Sequence, residues 1–146
     1  MRVLLDTNVI VDVLQHREPR HADGEKIFLA AAMKQISACV TAKQIADIHF
    51  FSCKQFPGAE NVDAKARKVI SALLGLFEIL DTKGEDCQNA IGIENGDYED
   101  AILISTAQRE KVDSIITRNP QDFLCSSVPV LSPDEFLPRL QPKETE

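Results

Sequence analysis

Acidic side chains at the ends of apolar segments are the residues of this chain that could do chemistry. Asp6 is the clearest of them, because it directly follows the apolar residues 3–5 and is followed by a hydroxyl and an amide, Thr7 and Asn8. An ionised carboxylate beside buried apolar residues is unfavourable unless a positive charge meets it. We therefore expect a divalent metal ion to bind at Asp6.

Two further acids precede an apolar segment, residues 101–104. Asp97 and Asp100 are three positions apart, and this spacing places them on one face of a helix. Both could simply cap that helix, where a negative charge favours the positive end of the helix dipole. Capping explains one carboxylate more easily than two, so we expect an acid here to face a cleft.

Asp47 lies inside the third predicted helix, beside Phe50 and Phe51. It could contribute to an active site. It could equally pair with Lys43, four residues earlier, in a contact worth only a few tenths of a kcal/mol.

Asn119 and Asp122 follow another apolar segment, at the end of a predicted strand. They are candidates for the same site as Asp6, although Asn and Asp are also common turn residues. Asp12 is the weakest acidic candidate, because we expect it to face solvent on the first short helix.

Strands that alternate with helices must position these residues. Apolar runs predict strands at residues 3–5, 36–40, 77–80, 114–117 and 128–131. Periodic or capped segments predict helices at residues 8–15, 20–34, 42–55, 64–74, 85–93, 97–111 and from 132 onward. We expect Asn8 to cap the first helix, Thr41 and Gln44 to form a capping box for the third, and Asn95 to break the chain before the sixth.

This alternation predicts an α/β fold, a three-layer α/β/α sandwich with a mainly parallel central sheet. The final strand contains a proline and is expected at an edge of the sheet. Polar residues that follow parallel strands share one edge of the sheet, where α/β proteins bind ligands. Asp6 and residues 117–119 should therefore be neighbours.

The composition is that of an ordinary globular protein, with 44% hydrophobic and 27% charged residues. We expect one domain over residues 1–140 and a C-terminal tail at 141–146. No apolar run approaches the roughly 18 residues that a membrane span requires. The N-terminus does not have the pattern of a secretory signal, so a cytoplasmic protein without a membrane partner is expected.

The net charge of −7 is opposite to the basic surplus of most nucleic-acid-binding proteins. It could serve solubility alone, or it could reflect acids gathered around metal at one site. The four cysteines form no CxxC pair and His16, His21 and His49 lack ligand spacing, so we expect no zinc site. With one tyrosine and no tryptophan, no rich base-stacking platform is expected.

Together the motifs resemble the PIN-domain family, metal-dependent ribonucleases that include the VapC-type toxins of bacterial toxin–antitoxin pairs. The resemblance rests on residues 3–8, 97–101, 116–119 and 122–123, in the order that the family has them. Residues 129–137 are similar to the end of one PIN subgroup. The order and spacing of the motifs make the resemblance specific, since each motif alone is weak.

The resemblance implies roles for particular residues. The catalytic set would be Asp6, Asp47, Asp97, Asp100 and Asn119, and the metal ligands would be Asp6, Asp97, Asp100 and Asp122. Asp47 stands where the family usually has Glu, and Asn119 where it often has Asp. Mg²⁺ or Mn²⁺ is the expected cofactor, because both ions prefer oxygen ligands. Substrate contacts are expected from Thr7, Thr117 and Arg118.

The expected function is metal-dependent endoribonucleolytic cleavage of RNA. By resemblance, the protein would be the toxin of a toxin–antitoxin pair, with an antitoxin partner and a homodimeric state. One alternative is a catalytically weak or inactive PIN-like scaffold that binds RNA or a protein. A second is phosphoryl transfer through Asp6, as in haloacid-dehalogenase-like phosphatases, but Asn8 stands where those enzymes have a second Asp.

Overall fold

The computed structural model of the chain describes residues 1–94 and 96–140. The tail expected at residues 141–146 and the break expected at Asn95 lie outside these residues. Within them, five strands form one parallel sheet in the order β3-β2-β1-β4-β5. The strands are β1 (Arg2–Leu5), β2 (Ser37–Thr41), β3 (Glu78–Leu80), β4 (Ser114–Ile116) and β5 (Val130–Leu131).

The first strand lies at the centre of the sheet. Leu4 is in register with Cys39 of β2 on one side and with Ile115 of β4 on the other. The short strand β5 forms an edge, as its preceding proline predicts, and the Ile115 N–H donates to the Pro129 carbonyl at 2.9 Å. All pairings are parallel, so the ends of β1, β2 and β4 open onto the same side.

The described part of the chain contains the seven helices that the sequence predicts. They are α1 (Thr7–Leu14), α2 (His21–Ala32), α3 (Ala42–Lys54), α4 (Val62–Leu76), α5 (Gly84–Ala90), α6 (Tyr98–Glu110) and α7 (Pro133–Phe136). Two short 3₁₀ helices cover Pro120–Phe123 and Leu137–Leu140. Among these helices, none is both long enough and apolar enough to span a membrane.

The helix starts show one prediction confirmed and one wrong. The capping box of Thr41 and Gln44 is present at the start of α3. Asn8 does not cap α1, because the helix begins at Thr7 and Asp6, two residues before Asn8, holds the N-cap position. The Asn8 side chain turns toward β4, where its amide oxygen accepts from the Arg118 N–H at 3.3 Å.

Alternate residues of β1 pack into two separate apolar layers, and all three apolar residues of the strand are fully buried. Val3 and Leu5 belong to a core that also takes in residues of α1, α2, α3, α4 and α7. Leu4 faces the opposite core, which contains residues of α6 and the Pro120–Phe123 turn. Helices therefore cover both faces of a parallel sheet, as its burial requires, and the three-layer prediction is confirmed.

A buried ion pair ties α5 to α6. The fully buried Asp86 carboxylate accepts hydrogen bonds from Arg109 Nε at 2.8 Å and Nη2 at 3.0 Å. Burial raises the pKa of Asp86, but the hydrogen bonds from Arg109 and the Lys83 backbone, together with the Arg109 charge, hold this pKa below its ordinary value. The pair positions the helix that carries Asp100.

We predict that Arg109→Met lowers the free energy of unfolding by about 3 kcal/mol at neutral pH, because it leaves a buried charge without its partner. Urea denaturation measures this loss. The control is Arg67→Met, which breaks the exposed pair with Asp63 on α4 and should leave stability almost unchanged. Equal effects of the two substitutions would show that the buried pair does not hold the helices together.

Candidate active site

A cleft of about 510 Å³ opens at the carboxyl ends of the central strands. The starts of α1, α3 and α6 surround it, so residues distant in sequence meet at one edge of the sheet. Both apolar and charged side chains line the cleft, and its acidic residues are Asp6, Asp47, Glu99, Asp100 and Asp122.

Asp6 occupies the end of the central strand. Its backbone N–H donates to the Ile116 carbonyl at 2.8 Å, which extends the pairing of β1 with β4. Its carboxylate accepts from the Thr117 hydroxyl at 2.7 Å. Burial raises the pKa of Asp6 above its ordinary value, while the Thr117 hydroxyl, the Thr7 backbone N–H and the Arg118 charge act in the opposite direction.

Asp100 lies in the first turn of α6 and faces the same cleft. Burial and then the charges of Asp6, Asp97, Asp122 and Glu99 raise the pKa of Asp100 to about 7. Four carboxylates therefore lie close enough to Asp100 to oppose its ionisation. A divalent cation among them would relieve this repulsion.

Asp97 has a different structural role from Asp100. It is the N-cap residue of α6, and its carboxylate accepts from the Glu99 N–H at 2.7 Å. Capping thus accounts for Asp97, while Asp100 is left to line the cleft. The charge of Asp97 still acts on Asp100, but its role as a metal ligand stays a prediction.

Asp47 lines the cleft from α3 and is paired with a lysine. Lys43 Nζ contacts Asp47 Oδ2 at 2.5 Å and Glu99 Oε1 at 3.2 Å, so it bridges α3 and α6 across the cleft. The lysine partner foreseen from the spacing is therefore present. Whether Asp47 also takes part in catalysis stays a prediction.

Thr117 joins the two central strand ends through its hydroxyl. The group is buried, donates to Asp6, and accepts from the Asn119 N–H at 3.2 Å. The Asn8 amide also approaches it at 3.5 Å. Thr117 thus positions Asp6, whereas Asn119 begins the Pro120–Phe123 turn and its side chain does not line the cleft.

Asp12 does not face solvent, so this expectation is wrong. Its side chain is only 4% exposed, and its Oδ1 accepts from Arg118 Nη1 at 3.0 Å. Arg17 Nη1 lies 3.5 Å from the same oxygen. Asp12 follows Asn8 by four residues on α1, so the two side chains lie on the same face of the helix, toward β4. This spacing is the feature of the sequence that could have predicted the buried position of Asp12.

Three other cleft residues had no predicted role in the site. Gln44 donates to the Leu5 carbonyl at 2.8 Å and to the Thr7 hydroxyl at 3.2 Å, so it fixes the start of α1. Phe50 and Phe51 line the cleft wall, and Phe50 is 57% exposed. Their spacing of three and four residues from Asp47 places them on its side of α3.

The cleft offers a donor set that suits a hard divalent cation. Asp6, Asp100 and Asp122 provide carboxylate oxygens at its floor and rim, with hydroxyl and amide oxygens nearby. Mg²⁺ needs only one or two protein carboxylates, because waters and substrate phosphate complete its shell. These residues therefore fit Mg²⁺ or Mn²⁺ better than a nitrogen-preferring ion.

The sequence of the chain matches the family model of the PIN domain over residues 2–121. The chain belongs to the PIN-domain family. A comparison with curated protein sequences finds no match.

Solved structures agree with this family. The PIN fold of the chain is similar to a chain of FitAB bound to an IR36 DNA fragment, with 17% identity, a TM-score of 0.70 and 99% of both chains covered. It is similar to a chain of VapBC2 from Rickettsia felis bound to a promoter DNA fragment, with 15% identity and a TM-score of 0.66 over 90% of this chain and 98% of that one.

A third similar structure is VapC20 from Mycobacterium tuberculosis, described as a sarcin–ricin-loop-cleaving toxin. The identity is 9% and the TM-score 0.57, with 77% of this chain and 86% of that one covered. At these identities the three structures establish the PIN fold.

The raised pKa of Asp100 makes a prediction about stability. Between the unfolded pKa of about 4 and the folded pKa of about 7, the folded protein binds the extra proton, so the free energy of unfolding falls as pH rises. Without metal, Asp100→Asn should stabilise the protein at about pH 8 by about 1–2 kcal/mol, after allowance for solvent screening.

Urea denaturation in EDTA at about pH 4 and pH 8 tests this prediction, and the stabilisation should vanish at the lower pH. The control is Asp81→Asn, because Asp81 follows β3 at the same edge of the sheet but is exposed and outside the cleft. If Asp100→Asn and Asp81→Asn behave alike at both pH values, the acids of the cleft do not repel one another.

Proposed function

We propose that this PIN-domain protein hydrolyses RNA phosphodiester bonds with the help of Mg²⁺ or Mn²⁺. The observation that carries the proposal is that Asp6, Asp100 and Asp122 line one cleft at the carboxyl ends of the central strands. Burial and the charges of the neighbouring acids raise the pKa of Asp100 to about 7. The repulsion between these carboxylates destabilises the folded protein, and a bound cation would offset it. Membership of the PIN family gives the proposal independent support.

Asp6 and Asp100, with Asp122 at the rim, are the residues that would hold the ion. A bound divalent ion can lower the pKa of a water molecule and stabilise charge on a phosphate. The protein contributes the orientation of these carboxylates. Thr117 fixes the Asp6 carboxylate by its hydrogen bond, and Asp97 caps the helix that carries Asp100.

Three cations surround the acids and could contact the phosphate backbone of RNA, from which most of the affinity for nucleic acids comes. Lys43, Arg17 and Arg118 all line the cleft. Their partners Asp47 and Asp12 hold Lys43 and Arg118 in place. The local field can thus favour a polyanion once metal is bound, although the whole chain carries a net charge of −7.

Similar structures suggest the biological setting. A further similar structure, from Klebsiella pneumoniae, is described as a toxin–antitoxin complex, and VapC20 is described as a sarcin–ricin-loop-cleaving toxin. These descriptions favour RNA as the substrate, an antitoxin as the partner and a toxin role for this chain. The homodimeric state expected by resemblance is part of the same proposal.

The inactive-scaffold alternative rests on Asp47 and Asn119, which depart from the family pattern. A scaffold of this kind would bind RNA or a protein without cleaving it. The cleavage experiment below therefore decides between the two functions.

We predict that Asp6→Asn and Asp100→Asn each reduce the rate of Mn²⁺-dependent cleavage of labelled single-stranded RNA by about 100-fold or more. EDTA should abolish the activity of the wild type, and DNA of the same sequence should be cut more slowly. The control Asp81→Asn should retain the wild-type rate, and circular dichroism should show that all variants are folded.

Cleavage by Asp6→Asn at the wild-type rate would overturn the site assignment. If the wild type binds RNA but does not cleave it with Mn²⁺ or Mg²⁺, the scaffold reading replaces the nuclease.

The position of Phe50 in the cleft indicates whether the RNA substrate is single-stranded or duplex. The exposed ring stands beside the acids, and Lys54 Nζ lies 4.4 Å from its centroid. An unpaired base could stack on such a ring while the neighbouring lysine meets a phosphate, and stacking is worth about 1–3 kcal/mol per base. Stacking on Phe50 requires an unpaired base, so we expect the cleft to bind single-stranded RNA more tightly than duplex RNA.

Phe50→Ala should therefore raise KM for single-stranded RNA by about 10-fold and leave kcat unchanged, because stacking binds substrate and transition state alike. Steady-state kinetics measure both constants. Leu124→Ala removes an apolar side chain that is even more exposed but lies away from the cleft, and it serves as the control. An unchanged KM for Phe50→Ala would exclude stacking on this ring.

A further inference from the structure

A second group of metal-binding side chains lies in the connection between α1 and α2. Within residues 1–94 and 96–140, His16, Glu18 and His21 are the one set of three such residues whose ligand atoms all lie within 4.8 Å of one another. The expectation that His16 and His21 lack ligand spacing is therefore wrong. The backbone of His16 is in the left-handed conformation (φ 51°), and its ring stacks on that of His21 although the two residues are five positions apart.

The two imidazole rings are stacked, with their centroids 3.7 Å apart and their planes at 29°. Both Nε2 atoms face Glu18 Oε1, at 2.9 Å from His21 and 3.9 Å from His16. Both Nδ1 atoms face Glu25 Oε1, at 2.9 Å and 3.6 Å respectively. Glu18 thus lies beside the two Nε2 atoms, and Glu25 lies beside the two Nδ1 atoms.

This arrangement gives the two glutamates different chemical roles. A histidine that binds metal through one ring nitrogen commonly donates its other N–H to a carboxylate, which fixes the tautomer and strengthens the ligand. Glu25 is placed to accept the Nδ1–H of His21. The Nε2 lone pairs can then face the side of the rings where Glu18 lies.

We propose that His16, Glu18 and His21 bind a zinc-class divalent ion through the two Nε2 atoms and a Glu18 oxygen, with Glu25 orienting the imidazoles. Tetrahedral ligands at bond lengths of about 2.0–2.1 Å are about 3.3 Å apart. The observed separations of 2.9 Å and 3.9 Å lie on either side of this value. Each Nε2 lone pair lies in the plane of its ring and the two planes are 29° apart, so the stacked rings must splay open for both nitrogens to reach one ion. Water would fill the fourth position, since the group is open to solvent.

The donor set distinguishes this site from the cleft. Imidazole nitrogen suits Zn²⁺, Co²⁺ and Ni²⁺, whereas the all-oxygen cleft suits Mg²⁺ and Mn²⁺. The loop site therefore stands independently of the proposed nuclease activity, and excess Mg²⁺ can fill the cleft while the loop site is titrated.

The chain around the site is held in place on both sides. Helices α1 and α2 approach closely at Gly24, where an added Cβ would lie 2.5 Å from Val13 Cγ2. Arg17 lies between two of the ligands, lines the cleft and contacts Asp12. A bound ion would therefore fasten the start of α2 to the loop that presents Arg17.

A simpler explanation of the cluster is a set of proton-stabilised ion pairs. Glu25 and Glu18 raise the pKa of His21, as expected for an imidazolium between two carboxylates. The two explanations differ in one property. Metal must displace the proton from His21, so only the metal site gives tight, saturable binding that strengthens as pH rises.

Titration of the reduced, full-length protein with Co²⁺ in excess Mg²⁺ tests the proposal, with the visible absorption of Co²⁺ and calorimetry as readouts. The wild type should bind one Co²⁺ in the loop, displaced by Zn²⁺, and its Tm should rise when Zn²⁺ is added. His16→Ala and His21→Ala should weaken binding at least 10-fold. Glu25→Gln should weaken it about 10- to 100-fold, because only the outer partner of the imidazoles is lost.

The control variant is His49→Ala. His49 is the third histidine of the chain. Its Nε2 lies 2.9 Å from Asp63 Oδ1 and 3.7 Å from the Cys53 sulfur, so it is the competing candidate for binding Co²⁺. His49→Ala should bind Co²⁺ like the wild type.

Unchanged affinity in both His16→Ala and His21→Ala, or its loss in His49→Ala, would overturn the proposal. Absence of saturable binding in the wild type would leave ion pairs as the explanation. If His21→Ala does not fold, Glu18→Gln keeps the ring pair and removes one ligand, so it provides the same test.

Discussion

The buried carboxylate of Asp6 at the end of the central strand is the constraint around which the site is built. Strand β1 is covered by helices on both faces, so the residue that follows it leaves an apolar interior. Burial raises the pKa of Asp6, and ionisation therefore requires hydrogen bonds and positive charge at this point. The neighbouring strand β4 supplies both through Thr117 and Arg118, whose own partner is Asp12.

The same constraint means that the acids of the cleft act against the stability of the fold. Helix α6 directs Asp100 at Asp6, and the resulting repulsion disfavours the ionised folded state. The buried pair of Asp86 and Arg109 holds α6 in position despite this repulsion. Lys43 bridges Asp47 and Glu99 and offsets part of their negative charge.

Helix α1 connects the cleft with the loop site. Its first residue follows Asp6, its buried face carries Asp12, and the chain beyond its last turn carries the stacked pair of His16 and His21. Arg17 belongs to both regions, since it lines the cleft from between two loop ligands. The oxygen donor Asp6 and the imidazole donor His16 thus flank α1 at its opposite ends.

The sequence by itself determined the layered parallel fold and the first acids of the site. Apolar runs and capping residues are local signals, so they located the strands, the capping box at Thr41 and the polar residues at the strand ends. They also predicted the cleft position of Asp6, because parallel strands must end at one edge of the sheet. The cleft position of Asp100 was predicted because this acid begins a helix of mainly apolar residues.

Only the tertiary structure decided which way the remaining side chains point. The contact of Arg118 with Asp12 joins residues 106 positions apart, and local patterns contain no record of it. Asp12, Asn8 and Phe50 acquired their places from the packing of helices on the sheet. The pairing of His16 with His21 likewise depends on one left-handed residue and on the close approach of α1 and α2, which no regular spacing encodes.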